Sequence, residues 1–381
     1  MAVARKSVEF INKRAKDGKN FFIHVGFEKP HPPLTTTQEY LDMHKPADFS
    51  LPATSDDWHK KGRYPWVPNW LHSDISKNPK MAQNVMAAYN ACVTEMDNMV
   101  GRVIQALKDG GLYENTIIIY TSDHGEHLFE HGLMGKHNMY EDAVNVPFII
   151  SYPKLFKENT INHSNISLID LMPTLAELIG GKTPTTAQGI SLVDILKSGK
   201  VIQDRVVFSE FRGAGYSLLP NVSNLPSRMM VKGDFKFIYT HGIIDQLYNV
   251  KADPDELNNL IFDKKYYDLH QNMRFQTLVD WRFQEYLPIK VSLDRKKMEW
   301  EKSTVFDSYS VYYAQTKNSM DASLITENIN SNSFFIKNKG FYWLVAKPKL
   351  TKTSQFYGVD TPVAVDGYSY TLPISDVIEL K

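Results

Sequence analysis

The run Asn115 to Thr121, NTIIIYT, constrains this chain more than any other feature, because it is β-branched, almost wholly apolar and followed at once by Ser122-Asp123-His124-Gly125. An extended segment without polar alternation reads as a strand covered on both faces, which belongs in an α/β sheet. The residues before it support this. Val85, Ala88, Tyr89, Cys92, Val93, Met96, Val100, Val103, Ile104 and Leu107 recur every three or four positions, which predicts one long amphipathic helix from Met81 to a stop at Asp109-Gly110-Gly111. Open α/β sheets carry their chemistry beyond the carboxyl ends of their strands, which is where Asp123 and His124 fall.

The alternation of helix and strand continues on both sides. Val3, Ser7, Phe10, Ile11 and Arg14 predict an opening helix that ends at Asp17-Gly18. The apolar run Phe21 to Val25 follows and reads as a short buried strand, cut off by Pro30, Pro32 and Pro33, so that Lys29 and His31 lie on a rigid loop beyond its end. Further strands are expected at Val146 to Ser151 and Arg205 to Ser209, with a helix at Ser167 to Ile179 between them. Residues 1–215 are therefore expected to form an α/β domain. Beyond Pro226 the units shorten: strands at Ser227 to Val231, Phe235 to Tyr239 and Gln246 to Asn249, then a helix at Tyr266 to Tyr286, predict a small antiparallel sheet with one helix over residues 216–290. Residues 291–381 alternate aromatic stretches with turns, and the sequence leaves the fold of this extension open.

Charge excludes some partners. Forty-three Lys plus Arg balance forty-three Asp plus Glu, so no global field draws the chain to nucleic acid or to an anionic membrane. No apolar run is long enough to span a bilayer. The single cysteine, Cys92, excludes an internal disulfide and any thiolate metal cluster.

The residues able to carry chemistry are few. Adjacent carboxylate and imidazole groups at a strand end, Asp123 and His124, can face one cation while Gly125 permits a tight turn. The structural alternative is that Asp123 caps a following helix and His124 only hydrogen-bonds. A hard cation wants about six donor positions, so other ligands would have to come from elsewhere. Lys136, on the glycine-bounded loop Gly132 to Asn138, could neutralise a sulfate or phosphate oxygen, or could be a solvated surface lysine. His31, at its proline-locked strand end, is either an anion donor or a structural histidine. Residues 45–80 read as a long surface excursion in which Trp58, Trp66 and Trp70 either stack on sugar faces or anchor the loop.

Several of these segments resemble the sulfatase family of the alkaline-phosphatase-like superfamily, particularly the branch with iduronate-2-sulfatase and choline sulfatase. The resemblance rests on FFIHVGFEKPHPP at 21–33, the helix around Tyr89 and Asp97, and IIIYTSDHGEHLFEHGLMGKHNMYEDAVNVPFII at 117–150. It continues through SLIDLMPTLAELIG at 167–180, QGISLVDIL at 188–196, and GDFKFIY with QLYNVKADPDELNNL at 233–260. It implies an α/β, alkaline-phosphatase-like mixed sheet flanked by helices, with a smaller C-terminal α+β subdomain. It also implies that Asp123 and His124 are metal ligands, that Lys136 contacts both the sulfate and the catalytic residue, and that His31 binds a sulfate oxygen. Lys29 and Arg228 match the family only by position.

The family carries a first strand with paired metal-binding aspartates and a C/S-x-P-x-R motif whose first residue becomes formylglycine, and residues 1–381 contain neither. Cys92 stands in the apolar stripe of the long helix and is expected in its core. The resemblance thus implies the C-terminal part of a sulfuric ester hydrolase, acting on a sulfated carbohydrate or small sulfate ester with a divalent cation, Ca²⁺, and formylglycine on the absent segment. A phosphonate or phosphate ester hydrolase and a non-catalytic sulfatase-like binding subunit are the alternatives. The partner implied is a chain carrying the N-terminal half. Little or no turnover is expected from residues 1–381 alone. A full-length protein that follows the family would be periplasmic, extracellular or lysosomal.

Overall fold

A computed structural model describes residues 2–52, 78–211, 227–240, 245–279, 291–301, 306–317, 321–348, 350–356, 359–364 and 378–380. Trp58, Trp66 and Trp70 lie outside the described residues. The chain divides into two compact units, the first built from residues 1–54, 70–136 and 145–202, the second from 55–69, 137–144 and 203–381.

In the first unit the two predicted helices form as expected: α1 is Ala2–Asp17 and α2 is Pro79–Asp109. Asn78 starts α2 by accepting the Met81 backbone N–H, with Pro79 in the first turn where no donor is needed. Gly110 follows its last residue. Apolar stripes lock the pair, with Ile11 of α1 and Ala106 and Leu107 of α2 buried together among Val8, Phe21, Val103 and Ile118. Cys92 is 1% exposed, as its place in the stripe predicts, and burial pushes its thiol up.

The strand after α2 is shorter than the apolar run. β1, Ile118–Thr121, pairs antiparallel with β2, Phe148–Ser151, in the register Ile118 to Ser151 and Thr121 to Phe148. Helices α3, Leu171–Leu178, and α4, Val193–Ser198, complete the unit. Ser167 and Asp170 form a reciprocal capping box ahead of α3.

Phe21 to Val25 differs from the expectation of a buried strand. Residues 21–25 pair with no sheet among the described residues, and side-chain exposure alternates, with Phe21, Ile23 and Val25 half-buried but Phe22 82% exposed. One row of side chains packs toward the helix pair while the other faces out. An apolar run states that a segment prefers burial, but it becomes a strand only where a neighbouring strand takes up its backbone hydrogen bonds.

The second unit holds the predicted antiparallel sheet, ordered β3-β4-β5-β6. Its strands are Val206–Phe211, Ser227–Lys232, Phe235–Thr240 and Gln246–Asn249. The β4–β5 hairpin turns at Gly233, whose φ of 56° lies in the left-handed region that glycine enters without a Cβ penalty. Helix α5, Tyr267–Leu278, then supplies Met273, Phe275 and Leu278 to the core over Met230, Phe237 and Leu247.

The described residues between 291 and 380 prove to be largely antiparallel β-structure. Strands β7 (Val291–Asp294), β8 (Lys297–Trp300) and β11 (Ser333–Phe335) form one sheet in the order β11-β8-β7. Strands β9 (Phe306–Ala314), β10 (Ser323–Ile329), β12 (Gly340–Pro348) and β15 (Ile378–Leu380) form another, ordered β10-β9-β12-β15, and β13 (Leu350–Phe356) with β14 (Val359–Ala364) make a hairpin. The aromatic stretches are the reason. Phe275 of α5 stacks flat on Tyr312 of β9 at 3.9 Å and meets Trp343 of β12 edge-on at 6.0 Å, so helix and sheet share one core. No described helix is long and apolar enough to cross a membrane.

Candidate active site

Asp123 and His124 stand just past the end of β1, and the turn there is held by its own polar groups. Ser122 Oγ donates to the His124 carbonyl at 2.9 Å, and the His124 backbone N–H donates to Asp123 Oδ1 at 3.0 Å. No regular helix begins at this point, so Asp123 is not a helix cap. Its side chain is 83% exposed, and Oδ2 lies 3.4 Å from His124 Nε2. Partial burial pushes the Asp123 carboxyl up, but the imidazole and the N–H and O–H donors around it outweigh that and hold it below the usual range.

The tautomer of His124 follows from its contacts. Nδ1 lies 2.9 Å from the Gly125 carbonyl, and a carbonyl only accepts, so Nδ1 carries a proton, and in the neutral ring Nε2, 3.4 Å from Asp123 Oδ2, is the nitrogen left with a lone pair. A backbone carbonyl behind one ring nitrogen is the support a metal-binding histidine ordinarily has. The donor set, one carboxylate oxygen and one imidazole nitrogen on the same side of a turn, fits part of a divalent-cation site. Among the described residues no third His, Cys, Asp or Glu joins it.

Lys136 is half-buried at the end of a tight loop that the sequence outlines but does not explain. His127 N–H donates to the Gly135 carbonyl at 2.9 Å and Phe129 N–H to the Leu133 carbonyl at 2.8 Å, which closes residues 127–135 into a narrow turn. Leu128, Phe129 and His131 all take positive φ, 44°, 79° and 53°, an arrangement that persists only where packing over-determines it. Phe129, 1% exposed, plugs the turn against Ala82 and Met86 of α2. Glu126 ties the two ends together, since its Oε1 accepts the Gly135 N–H at 2.5 Å. Burial, then the charge of Glu126, pushes the nearby Tyr89 hydroxyl up to about 12. We expect Glu126→Ala to strand the Gly135 N–H and cost about 1–3 kcal/mol. Faster hydrogen exchange confined to residues 127–136 is the expected signature, and unchanged exchange there would refute it.

His31 sits on an exposed loop with Nδ1 2.7 Å from the Pro32 carbonyl. Lys29 has another employment: its Nζ donates to the Thr35 carbonyl at 2.6 Å and pairs with the buried Glu95 of α2. Arg228 is likewise occupied, donating to the Thr277 carbonyl at 3.0 Å with its guanidinium 4.4 Å above the Phe208 ring. The structure thus joins Asp123 to His124, while neither His31 nor Lys136 bonds to that pair. The bonds of Glu95 and Glu126 that tie these loops are not legible in the sequence, because their partners are backbone groups or lie far off in sequence.

An Asp-His turn at a strand end, followed by a lysine loop and then an antiparallel subdomain, is the order that the resemblance to alkaline-phosphatase-like proteins implies. The comparisons agree. Residues 1–181 match the Sulfatase family and residues 129–283 the C-terminal domain of N-sulphoglucosamine sulphohydrolase. The chain belongs to the sulfatase family. It is 31% identical to Arylsulfatase K of Mus musculus over 300 residues, covering 71% of this chain and 52% of that protein. Among solved structures it is similar to the phosphonate monoester hydrolase SpPMH from Silicibacter pomeroyi, at 26% identity and TM-score 0.61, covering 71% of this chain and 58% of that one. It also shares its fold with BT4656 in complex with D-glucosamine-2-N,6-O-disulfate, at 24% identity and TM-score 0.63, covering 72% and 67%. The chain spans 52–57% of the length of curated relatives such as these.

Proposed function

We propose that residues 1–381 are part of a sulfuric ester hydrolase that acts on a sulfated carbohydrate, in the branch that includes iduronate-2-sulfatase and choline sulfatase. The observation that carries the reading is the Asp123–His124 turn, whose exposed carboxylate lies 3.4 Å from the imidazole Nε2, a pair that suits one divalent cation, Ca²⁺ in this reading. Such a cation supplies charge stabilisation to sulfate oxygens. Asp123 and His124 would hold it. Lys136 and His31 are the anion donors: the Lys136 ammonium offsets charge on the sulfate and on the departing oxygen, and His31 orients a second sulfate oxygen. The glycan substrate is supported by the match of residues 129–283 to the C-terminal domain of N-sulphoglucosamine sulphohydrolase, and the fold neighbour BT4656 holds a sulfated glucosamine.

The formylglycine nucleophile belongs to polypeptide other than residues 1–381, because no C/S-x-P-x-R occurs in them. Residues 21–25, with Phe22 exposed and no strand paired to them among the described residues, offer a place where the strand before that motif can pair. We expect residues 1–381 alone to release no sulfate from aryl sulfate or glucosamine sulfate. Adding a polypeptide that bears the motif, with Ca²⁺, should restore release, and a chelator should abolish it. Robust turnover by residues 1–381 alone would overturn the assignment of the nucleophile. Mass analysis of the native protein, with peptide mapping of whatever copurifies, identifies the natural source of that segment.

The relative solved as a phosphonate monoester hydrolase favours a second reading, hydrolysis of phosphonate or phosphate esters. Parallel turnover of matched sulfate and phosphonate esters separates the two.

A further inference from the structure

Among the described residues, the loop that presents His31 is hydrogen-bonded to the distant fold through one side chain, Glu95. Residues 29–36 make local hydrogen bonds, His31 N–H to the Glu28 carbonyl at 3.0 Å and Thr35 N–H to the Pro33 carbonyl at 2.7 Å. Among the described residues, their hydrogen bonds to any distant part of the chain end on Glu95. Lys29, at one end of the loop, pairs with Glu95 Oε2, and Thr36, at the other end, donates its hydroxyl to the same oxygen at 2.7 Å. Lys29 also closes the loop on itself through the Thr35 carbonyl at 2.6 Å. The Glu95 side chain is 7% exposed on the rigid helix α2, and the adjacent Thr94 accepts or donates at 2.7 Å to His44 further along the same segment.

We propose that Glu95 is a positioning residue for His31, acting through Lys29 and Thr36 to fix the loop that delivers the imidazole to an anion. This inference rests on the reading of His31 as a sulfate-binding residue. A carboxylate removed from water is costly unless its partners are in place, so the clamp has one well-satisfied arrangement, with both loop ends drawn to one oxygen. Burial pushes the Glu95 carboxyl up, but Lys29 and Thr36 more than offset this and keep it ionised. The positioning works at a distance. Glu95 reaches Lys29 and Thr36, and these leave His31 between them.

The test uses the full chain labelled at histidine Cε1, with sodium sulfate as the probe and sodium chloride at matched ionic strength as the control. In the wild type the His31 resonance, assigned by its loss in His31→Ala, should move with sulfate. In Glu95→Ala the apparent dissociation constant should rise about tenfold, the scale seen when an outer-shell support is removed. Glu95→Gln, which keeps an oxygen for Thr36 and Lys29, should recover most of the affinity. With sulfate affinity read by calorimetric titration, which needs no His31 signal, the double variant with His31→Ala should bind no more weakly than His31→Ala alone. Unchanged sulfate affinity in Glu95→Ala, or additive losses in the double variant, would overturn the proposal. A wild type whose His31 ignores sulfate would instead refute the functional reading and the positioning role with it. Hydrogen exchange over residues 29–36 then shows separately whether Glu95 orders the loop.

Discussion

Replacing Lys236 by Met is expected to destabilise the second unit by about 3–5 kcal/mol, the cost of removing one partner from a buried ion cluster. Lys236 lies in β5 with none of its side chain exposed, and its ammonium sits 2.7 Å from Glu141 Oε1 and 2.9 Å from Glu256 Oε1. Glu256 is itself 1% exposed and accepts the Glu141 backbone N–H at 2.7 Å. Two carboxylates thus share one buried cation, and taking the cation away leaves both uncompensated. Burial raises the Glu256 carboxyl to about 7, with Lys236 pulling down and Glu141 pushing up. A folded-state value above the unfolded one means that the protonated form is favoured by folding. The stabilisation from that proton is complete below the unfolded value and disappears as pH rises through about 7. Urea unfolding should therefore show the wild-type unit losing stability between pH 5 and pH 8, and Glu256→Gln should flatten that profile. The loss in Lys236→Met should also be larger at pH 8 than at pH 5. A loss under about 1 kcal/mol at pH 8 would mean that the carboxylates regain water, and would refute the cluster as a source of stability.

Neither this cluster nor the Glu95 clamp is legible in the sequence, and the reason is physical. GDFKFIY reads as a turn and a strand, and a lysine in a strand is ordinarily solvated. What buries Lys236 is a pair of glutamates brought in from residues 141 and 256 by the tertiary fold. Glu95 stands among the apolar positions of α2, and its partners come 66 and 59 residues earlier. Periodicity, by contrast, is a local property, and it outlined α1, α2 and the β4–β5–β6 meander to within a few residues. The Phe21 to Val25 run shows the limit of local reasoning: the residues want burial, but whether a strand forms depends on a neighbour that composition does not reveal. Asp123 and His124 stand out in the sequence as a candidate pair because two ligand types are adjacent at a strand end. The ring tautomer that makes Nε2 the donor needed the Gly125 carbonyl in three dimensions.

Asp123→Ala should separate function from stability more sharply than any other substitution at the site. The carboxylate is 83% exposed, and its bonds run only to its immediate neighbours Ser122 and His124. Losing it should therefore cost the fold no more than about 0.5 kcal/mol, as for other exposed substitutions. In the complete, motif-bearing enzyme the same change should lower turnover by about 10²–10³-fold, the scale for removing one pre-organised electrostatic contributor to a transition state. The carboxyl is held below its usual range, so it is ionised at neutral pH and the substitution removes a full charge. Ser122→Ala, which removes only one of the bonds that shape the turn, should reduce turnover far less. Excess Ca²⁺ should recover part of the activity in Asp123→Ala if the carboxylate acts by holding the cation, which steady-state rates against metal concentration will show. Wild-type turnover in Asp123→Ala would dismiss the Asp123–His124 turn as the cation site. An equal loss of stability and activity would make Asp123 a folding residue, and only the pattern of intact fold and lost rate supports the assigned role.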